Sequence, residues 1–485
     1  MPKKNALTPA VARARRTRRA RATPAHARGA SLLAVLTLAA AGLAQAQNNP
    51  YPGPNDDAAL TWKGITVYGD VDVGLQYQTH GAPASDYIAY STEPVIQKNS
   101  NGSVTALTSS PLSWSRVGVA GKEPLVADWS GVFRLETYFN PTSGDLSDGL
   151  KSLALNNGRS LTTQSSNLDS SVAGQAFGGA AFAGVSSPTY GTLTFGRQQT
   201  VLADGIVKYD AMEDGQDSAH AFSLLGGSRT AAGGGTTEDT RLDHTLKYTA
   251  RYDWLHAGAL YQFSNSSGSQ NTAIQGQLGA SFAGASVDGY YAKKYDAISA
   301  SALSAPQVAG LAPGYSVGNS LAATVSDNTA YAFMGLYDLQ VVKLYSGYEH
   351  ISFADPSTPL SAGYVDIGGY VLAYVNNKAY DSDRVLQVFW AGAKWYVTPD
   401  FYLAASYYGY KQNSYATGKT AGCSSTVSSA CSGTENAFSV LADYRLSRRF
   451  DAYLGTVWSG VQDGLASEYL NTSTLTSTVG IRFKF

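Results

Sequence analysis

The sequence predicts an all-β fold: a transmembrane antiparallel β-barrel of about 16 strands. Three observations predict it. Segments from Gly64 to the last residue alternate apolar and polar side chains, their connections are alternately short and long, and an export signal precedes them. At 485 residues the chain exceeds the usual length of one globular domain, but a large barrel is a single domain at this size. Composition agrees. With 32 Tyr, 50 Gly and only 15% charged residues, the chain suits strands with one apolar and one polar face better than a uniformly apolar core.

Residues 1–30 carry nine Lys or Arg and no acid, and are followed by the apolar run from Leu32 to Leu43 and the small-residue site Ala44-Gln45-Ala46. That order is a secretory signal, with cleavage expected after Ala46. The apolar run falls short of the ~20 residues that a spanning helix needs. The expected organisation is a leader over 1–46, a lead-in over 47–63 and a barrel over 64–485. Without the nine basic residues of the leader, 26 of the 35 remain against 36 acidic residues, a formal charge of −10 that argues against nucleic acid as a partner. No other segment is apolar for long enough to form a membrane helix. An exported chain embedded in lipid must then close as a barrel, because an open sheet edge leaves backbone groups unsatisfied there.

The first strand, 64–79, puts Ile65, Val67, Val71, Val73, Leu75 and Tyr77 on one face and Thr66, Tyr68, Asp70, Asp72, Gln76 and Gln78 on the other. Period two over this length means one face in oil and one in water. Further strands are expected at 113–122, 131–139, 178–186, 190–197, 242–251, 254–264, 272–283 and 285–296. Then come 328–339, 341–352, 383–396, 400–412, 435–446, 449–459 and 475–485. Short turns such as 187–189 and 397–399 alternate with long loops such as 80–112, 140–177, 297–327 and 353–382, the layout of an outer-membrane barrel. In the last strand Val479, Ile481, Phe483 and Phe485 alternate with Thr478, Gly480, Arg482 and Lys484, which fits rings towards lipid and charge towards a wet lumen.

Between the fifth and sixth strands lies the long loop 199–241. Its first part holds Asp204, Asp210, Glu213, Asp214 and Asp217 against Lys208, followed by an apolar patch from Phe222 to Leu225 and a Gly-rich return. An ordinary surface loop shares this composition. Its position in a repeating strand pattern is what favours a pore constriction.

Several stretches, in order, carry a resemblance: Thr66-Val-Tyr-Gly-Asp-Val-Asp72, Ser115-Arg-Val-Gly-Val-Ala-Gly-Lys-Glu123, Phe133-Arg-Leu-Glu136 and Tyr190-Gly-Thr-Leu-Thr-Phe-Gly-Arg-Gln198. Arg241-Leu-Asp-His-Thr-Leu-Lys-Tyr248, Leu446-Ser-Arg-Arg-Phe-Asp-Ala-Tyr453 and Val479-Gly-Ile-Arg-Phe-Lys-Phe485 complete them. Through these motifs essentially the whole mature chain resembles the Gram-negative general porins of the trimeric, sixteen-stranded, β-proteobacterial kind. The resemblance implies a bacterial outer-membrane location, a homotrimer surrounded by outer-membrane lipid, and assembly by the barrel assembly machinery reading the C-terminal Phe485. It also implies that the third long loop folds inward and narrows the pore, with Asp204, Asp210, Glu213, Asp214 and Asp217 facing Arg116 and Arg134 on the wall. Those two arginines fall on the polar phase of their strands. Arg197 and Arg241 bracket the loop and are expected to pin its ends. Opposed charges of this kind sort permeants by charge while the loop sets the size limit.

Two positions depart from the family. Phe177-Gly-Gly-Ala180 stands where an Asn-Arg-Gln-like stretch is usual, and Phe483 where a His is usual. The first removes a wall cation, and Asp70 and Asp72 lie on the wet face of the first strand, so a pore less positive than usual, with a preference for cations, is expected.

Gly314-Tyr-Ser-Val-Gly318 matches a nucleophile-elbow pattern, but in an Ala- and Ser-rich loop without strand-to-helix context. His80, His220, His244, His256 and His350 show no metal-ligand spacing. No enzyme activity and no cofactor are expected. Cys423 and Cys431, two cysteines of an exported chain in one long loop, are expected to form a disulfide. The expected function is passive diffusion of small hydrophilic solutes and ions through a water-filled channel. A substrate-specific channel and a surface adhesin or receptor barrel are the alternatives.

Overall fold

Short turns fix the order of the wall, since two antiparallel strands joined by a few residues have no other neighbour within reach. The computed structural model describes residues 60–88, 90–167, 172–212, 241–264 and 272–485. The two-residue strand β1 (Thr61–Trp62) folds back on β2 (Ile65–Gly81), the first full-length strand. The next wall position is shared: β3 (Gly102–Ser109) pairs with the second half of β2, and β4 (Arg116–Pro124) with its first half. The wall continues through β5 (Ser130–Tyr138), β6 (Ala180–Ser187), β7 (Gly191–Gln199) and β8 (Arg241–Tyr252). Then come β9 (Leu255–Gln262), β10 (Ala273–Phe282), β11 (Ala285–Ser301), β12 (Ser320–Asp338) and β13 (Val342–Ala354).

After β13, a hairpin of β14 (Tyr364–Ile367) and β15 (Tyr370–Asn376) lies in the long loop, with β15 parallel to the far part of β12. The wall resumes with β16 (Arg384–Thr398), β17 (Phe401–Gln412), β18 (Gly433–Arg445), β19 (Phe450–Asp463) and β20 (Ser473–Lys484). Strand β20 pairs with β2 from Asp70↔Lys484 to Gln78↔Thr476, which closes the ring at 16 antiparallel positions. At the seam, Phe485 and Gly69 exchange both backbone hydrogen bonds at 3.0 Å.

Burial is inverted relative to a water-soluble protein. Large apolar side chains such as Leu107, Tyr252, Phe282 and Phe333 stand exposed on the outer face, whereas Asp72, Gln76, Thr478 and Arg482 are buried on the inner one. A sheet with this distribution is stable only with hydrocarbon outside. Tyr252, Trp254, Phe282, Tyr337 and Trp395 cluster near the short-turn ends as an outer aromatic belt. Asp253, Ala283 and Gln340 occupy positive φ in those turns, the backbone state that tight hairpins require.

All sixteen expected strands are present, and several run longer. Strand β11 reaches Ser301 and β12 starts at Ser320, where the alternation had lapsed into Ala- and Ser-rich sequence. There Leu321, Ala322, Ala323 and Val325 are all buried by the loops, on both faces, so no apolar-polar contrast is required. Strand β3 and the hairpin β14–β15 lie inside stretches expected to be loop. Between β3 and β4 the chain kinks at residues 110–115, with Leu112 fully buried in the luminal cluster. Asp72 holds this kink by accepting from the backbone N of Leu112 at 2.7 Å and of Ser113 at 2.6 Å. In the long loop after β17, Cys423 and Cys431 are joined by a disulfide.

Candidate pore constriction

The backbone leaves β7 at Gln199 and turns directly into a helix. Thr200 makes the turn possible: its hydroxyl accepts from Ala203 N at 3.2 Å, capping the helix Val201–Tyr209. Val201, Leu202, Ile206 and Tyr209 are buried in one cluster with Leu260, Tyr290, Ala332, Trp390 and Tyr408, side chains on the inner faces of β9, β11, β12, β16 and β17. The ring of Tyr290 crosses so close to Gly205 that a Cβ there would lie 2.3 Å from Cζ. A side chain at that position would force the ring to shift.

Polar contacts continue the path across the wall. The amide of Leu202 donates to Gln275 Oε1 at 3.0 Å. Tyr209 O accepts from Trp390 Nε1 at 2.9 Å, and the Tyr209 hydroxyl bonds Asp288 and lies 2.7 Å from Ser286 Oγ. Lys208 Nζ reaches the same Asp288 carboxylate at 2.9 Å, as does His256 Nε2 at 2.6 Å. Asp210 accepts from the Tyr408 hydroxyl at 2.6 Å. Residues 201–212 therefore run from β7 over the inner faces of β9 to β13 as far as β16 and β17.

On the wall of β2, β4 and β5, Arg116 Nε donates to Asp70 at 2.7 Å, its direct cross-strand partner. Glu136 is the hub. It accepts from Tyr68 at 2.8 Å and Tyr138 at 2.9 Å, and it pairs with Arg134 at 2.5 Å and with Arg116 at 3.5 Å. Arg197 donates from Nε to Gly178 O at 2.9 Å and from Nη1 to Asp243 at 2.8 Å. Arg241 donates to Gly179 O at 3.1 Å and to the Tyr138 hydroxyl, with its guanidinium over the rings of Trp114 and Tyr138. Asp72 is bound by the kink backbone and by the Tyr453 hydroxyl, opposite Arg482 in the register.

Between the helix and the wall of β4 to β8 lies a water-accessible space of about 870 Å³. Lys122, Arg134, Glu136, Asp204, Lys208 and Lys247 are its charged lining. A second space of about 470 Å³ lies beside it, with Lys122, Asp204 and Lys208 lining both, and reaches the short-turn end at Ser187, Pro188 and Arg251. Asp204 is 46% exposed to this water and pairs with Lys247 at 2.5 Å. Arg134 and Asp204 thus share one space from opposite sides. Glu213, Asp214 and Asp217 lie outside the described residues.

Sequence reading missed Glu136, Lys122, Lys208 and Lys247. Glu136 was legible in principle, because it shares the inner phase of β5 with Arg134. Lys122 likewise continues the phase of Arg116 along β4. Lys208 sat in view as the one cation of an acidic loop.

A closed ring of antiparallel strands with an apolar outside, a charged inside and a water-filled passage defines a β-barrel channel of the outer-membrane kind. Residues 30–460 match the family model for Gram-negative porins, and the chain belongs to that family. It is a bacterial outer-membrane channel for passive diffusion of small solutes. Among solved structures, the anion-selective porin from Comamonas acidovorans is similar at a TM-score of 0.56 and 17% identity, over 87% of this chain and 99% of that one. A loop L8 deletion mutant of OmpT from Vibrio cholerae gives 0.53 at 13% identity, over 87% and 99%. In-vitro folded OmpT in its trimer form gives 0.52 at 13%, over 87% and 99%. At these identities the likeness carries the fold. No curated protein sequence matches the chain.

Proposed function

We propose that this porin is a general diffusion channel, free of covalent chemistry, whose passage runs between the luminal helix and the wall of β4 to β8 and prefers small anions. One observation supports the preference: among the described residues, Lys122, Arg134, Lys208 and Lys247 outnumber Glu136 and Asp204 around the passage. Clefts lined by one sign of charge concentrate the opposite ion. The wall arginines Arg116 and Arg134 form the basic side, while Asp204 and Asp210, with Glu213, Asp214 and Asp217, form the acidic side carried by the loop. Arg197 and Arg241 pin the ends of that loop, a role supported by their bonds to Gly178 O and Gly179 O on the lead into β6. The leader 1–46 is removed on export, Phe485 serves as the assembly signal, and the working unit is a homotrimer. The trimer form of OmpT among the similar structures supports that last reading.

Reversal potential in a KCl gradient across a planar bilayer tests the preference. A chloride-favouring sign is expected. A potassium-favouring sign would refute it and assign control of the passage to the loop acids.

A further inference from the structure

The loop after β5 leaves the wall at Phe139, whose N–H donates to Ser115 O at 3.1 Å. It does not stay above its own strands. Within it, Asp148 caps the helix α1 (Gly149–Leu155) by accepting from Lys151 N at 2.9 Å. Leu150, Leu153 and Ala154 then pack into one apolar cluster with Ile298 and Ala300 of β11 and with Leu321, Ala323 and Val325 of β12. Six pairings around the ring separate β5 from β11, and seven separate it from β12, in a ring of 16. The loop therefore reaches a part of the rim nearly opposite the one it left.

Both ends of this span are bonded. On the far side, Asn157 Oδ1 accepts from Leu303 N at 2.6 Å, and its Nδ2 donates to Val317 O at 2.6 Å and Ser320 O at 2.7 Å. Gly158 N donates to Leu303 O at 2.8 Å, and the Tyr370 hydroxyl donates to Asp148 Oδ2 at 3.1 Å. Gly158 has φ +72°, the left-handed state that lets the chain double back here. On the near side, Ser166 N donates to Pro83 O at 2.7 Å and Asn99 Nδ2 to Ser165 O at 2.9 Å, and the loop 82–101 also meets the helix start, where Asp148 N donates to Tyr87 O at 2.6 Å. The loop 82–101 that supplies these partners is tied to β19 in turn, with Ile96 N donating to Ser459 Oγ at 2.7 Å.

A solvated surface loop has no need of an apolar cluster at one end and side-chain hydrogen bonds to other loops at both. We infer that residues 140–167 form a built-in strap across the long-loop mouth of the barrel, and that this strap, in series with the luminal passage, sets the size limit for solutes. Small ions pass beside it. Bulky neutral solutes meet it before they meet the lumen. The inference rests on the diffusion-channel reading above.

Two variants test it in full-length protein, each first shown to be a folded barrel by heat-dependent gel migration. In one, residues 149–164 are replaced by a short Gly-Ser linker. Its single-channel conductance should rise about twofold or more, with neutral oligosaccharides excluded by the unmodified protein now admitted in liposome swelling. In the other, Asp148→Ala with Asn157→Ala keeps the length and removes the far anchors. It should flicker between the unmodified level and a larger one, and it decides alone if the linker variant does not assemble. Unchanged conductance and unchanged exclusion in the folded variants would overturn the strap. Absence of conductance from the unmodified protein as well would overturn the channel reading itself, and the strap with it.

Discussion

Lys122 and Lys208 are the most direct handle on the passage, because Lys122 is exposed and Lys208 keeps 40% of its side chain accessible. Replacing them as Lys122→Glu and Lys208→Gln changes the local charge by three units. Each unit acts on a monovalent ion about 8 Å away with roughly 0.5 kcal/mol in water. One Debye length of about 8 Å at physiological ionic strength reduces that to roughly a third. Three units then shift each ion by about 0.5 kcal/mol, with opposite signs for chloride and potassium. The permeability ratio moves by about 1 kcal/mol, or roughly sixfold towards potassium. Reversal potentials in a KCl gradient read this ratio directly, with single-channel conductance as the control for an open pore. A ratio within experimental error of the unmodified channel would refute the placement of the passage between the helix and β4 to β8.

Two further outcomes follow from buried charge. Arg482 is fully buried and pairs with Asp451 at 2.5 Å and Asp443 at 3.5 Å; Arg482→Ala leaves those carboxylates to Lys484 at 3.3 Å and the Tyr402 hydroxyl at 3.0 Å, and should destabilise the barrel by about 3 kcal/mol, read as an earlier loss of the folded band on heating. Glu93, in the loop 82–101, is pushed by burial from its ordinary 4.5 up to about 8, against weaker opposing hydrogen bonds from Val95 and Tyr90. A raised carboxyl pKa makes the folded state the better proton binder, so its contribution to stability is fully present below pH 4.5 and is lost as pH rises towards 8. Hydrogen exchange in the loop 82–101 should accordingly quicken between pH 5 and pH 9 beyond the intrinsic rate, and Glu93→Gln should flatten that dependence.

The wall was legible because lipid on one side and water on the other impose period two on every strand, and the run from Ile65 to Gln78 shows it without interruption. Where that contrast is absent, legibility ends. The far part of β12 is covered on both faces, so Leu321 to Ala323 carry no alternation. The luminal helix shows the same limit. Asp204, Asp210 and Lys208 mark its sequence as a polar loop, yet Val201, Leu202, Ile206 and Tyr209 decide its path by packing on inner-face side chains more than fifty residues away in the chain. The strap is legible least of all. Its anchors Asp148, Asn157, Ser165 and Ser166 are the residue types of any solvated loop, and only their partners distinguish them. Ion pairing is intermediate: Arg116 and Arg134 stood out by phase, but their closest carboxylates, Asp70 and Glu136, come from neighbouring or identical wall strands, which register alone specifies.

The measurement that bears most directly on the whole account is the conductance of the purified, detergent-folded protein in a planar bilayer. Stable stepwise insertions with a chloride-favouring reversal potential are the result expected from a water-filled passage lined by Lys122, Arg134, Lys208 and Lys247. A demonstrably folded barrel that inserts and passes no current would contradict the diffusion channel.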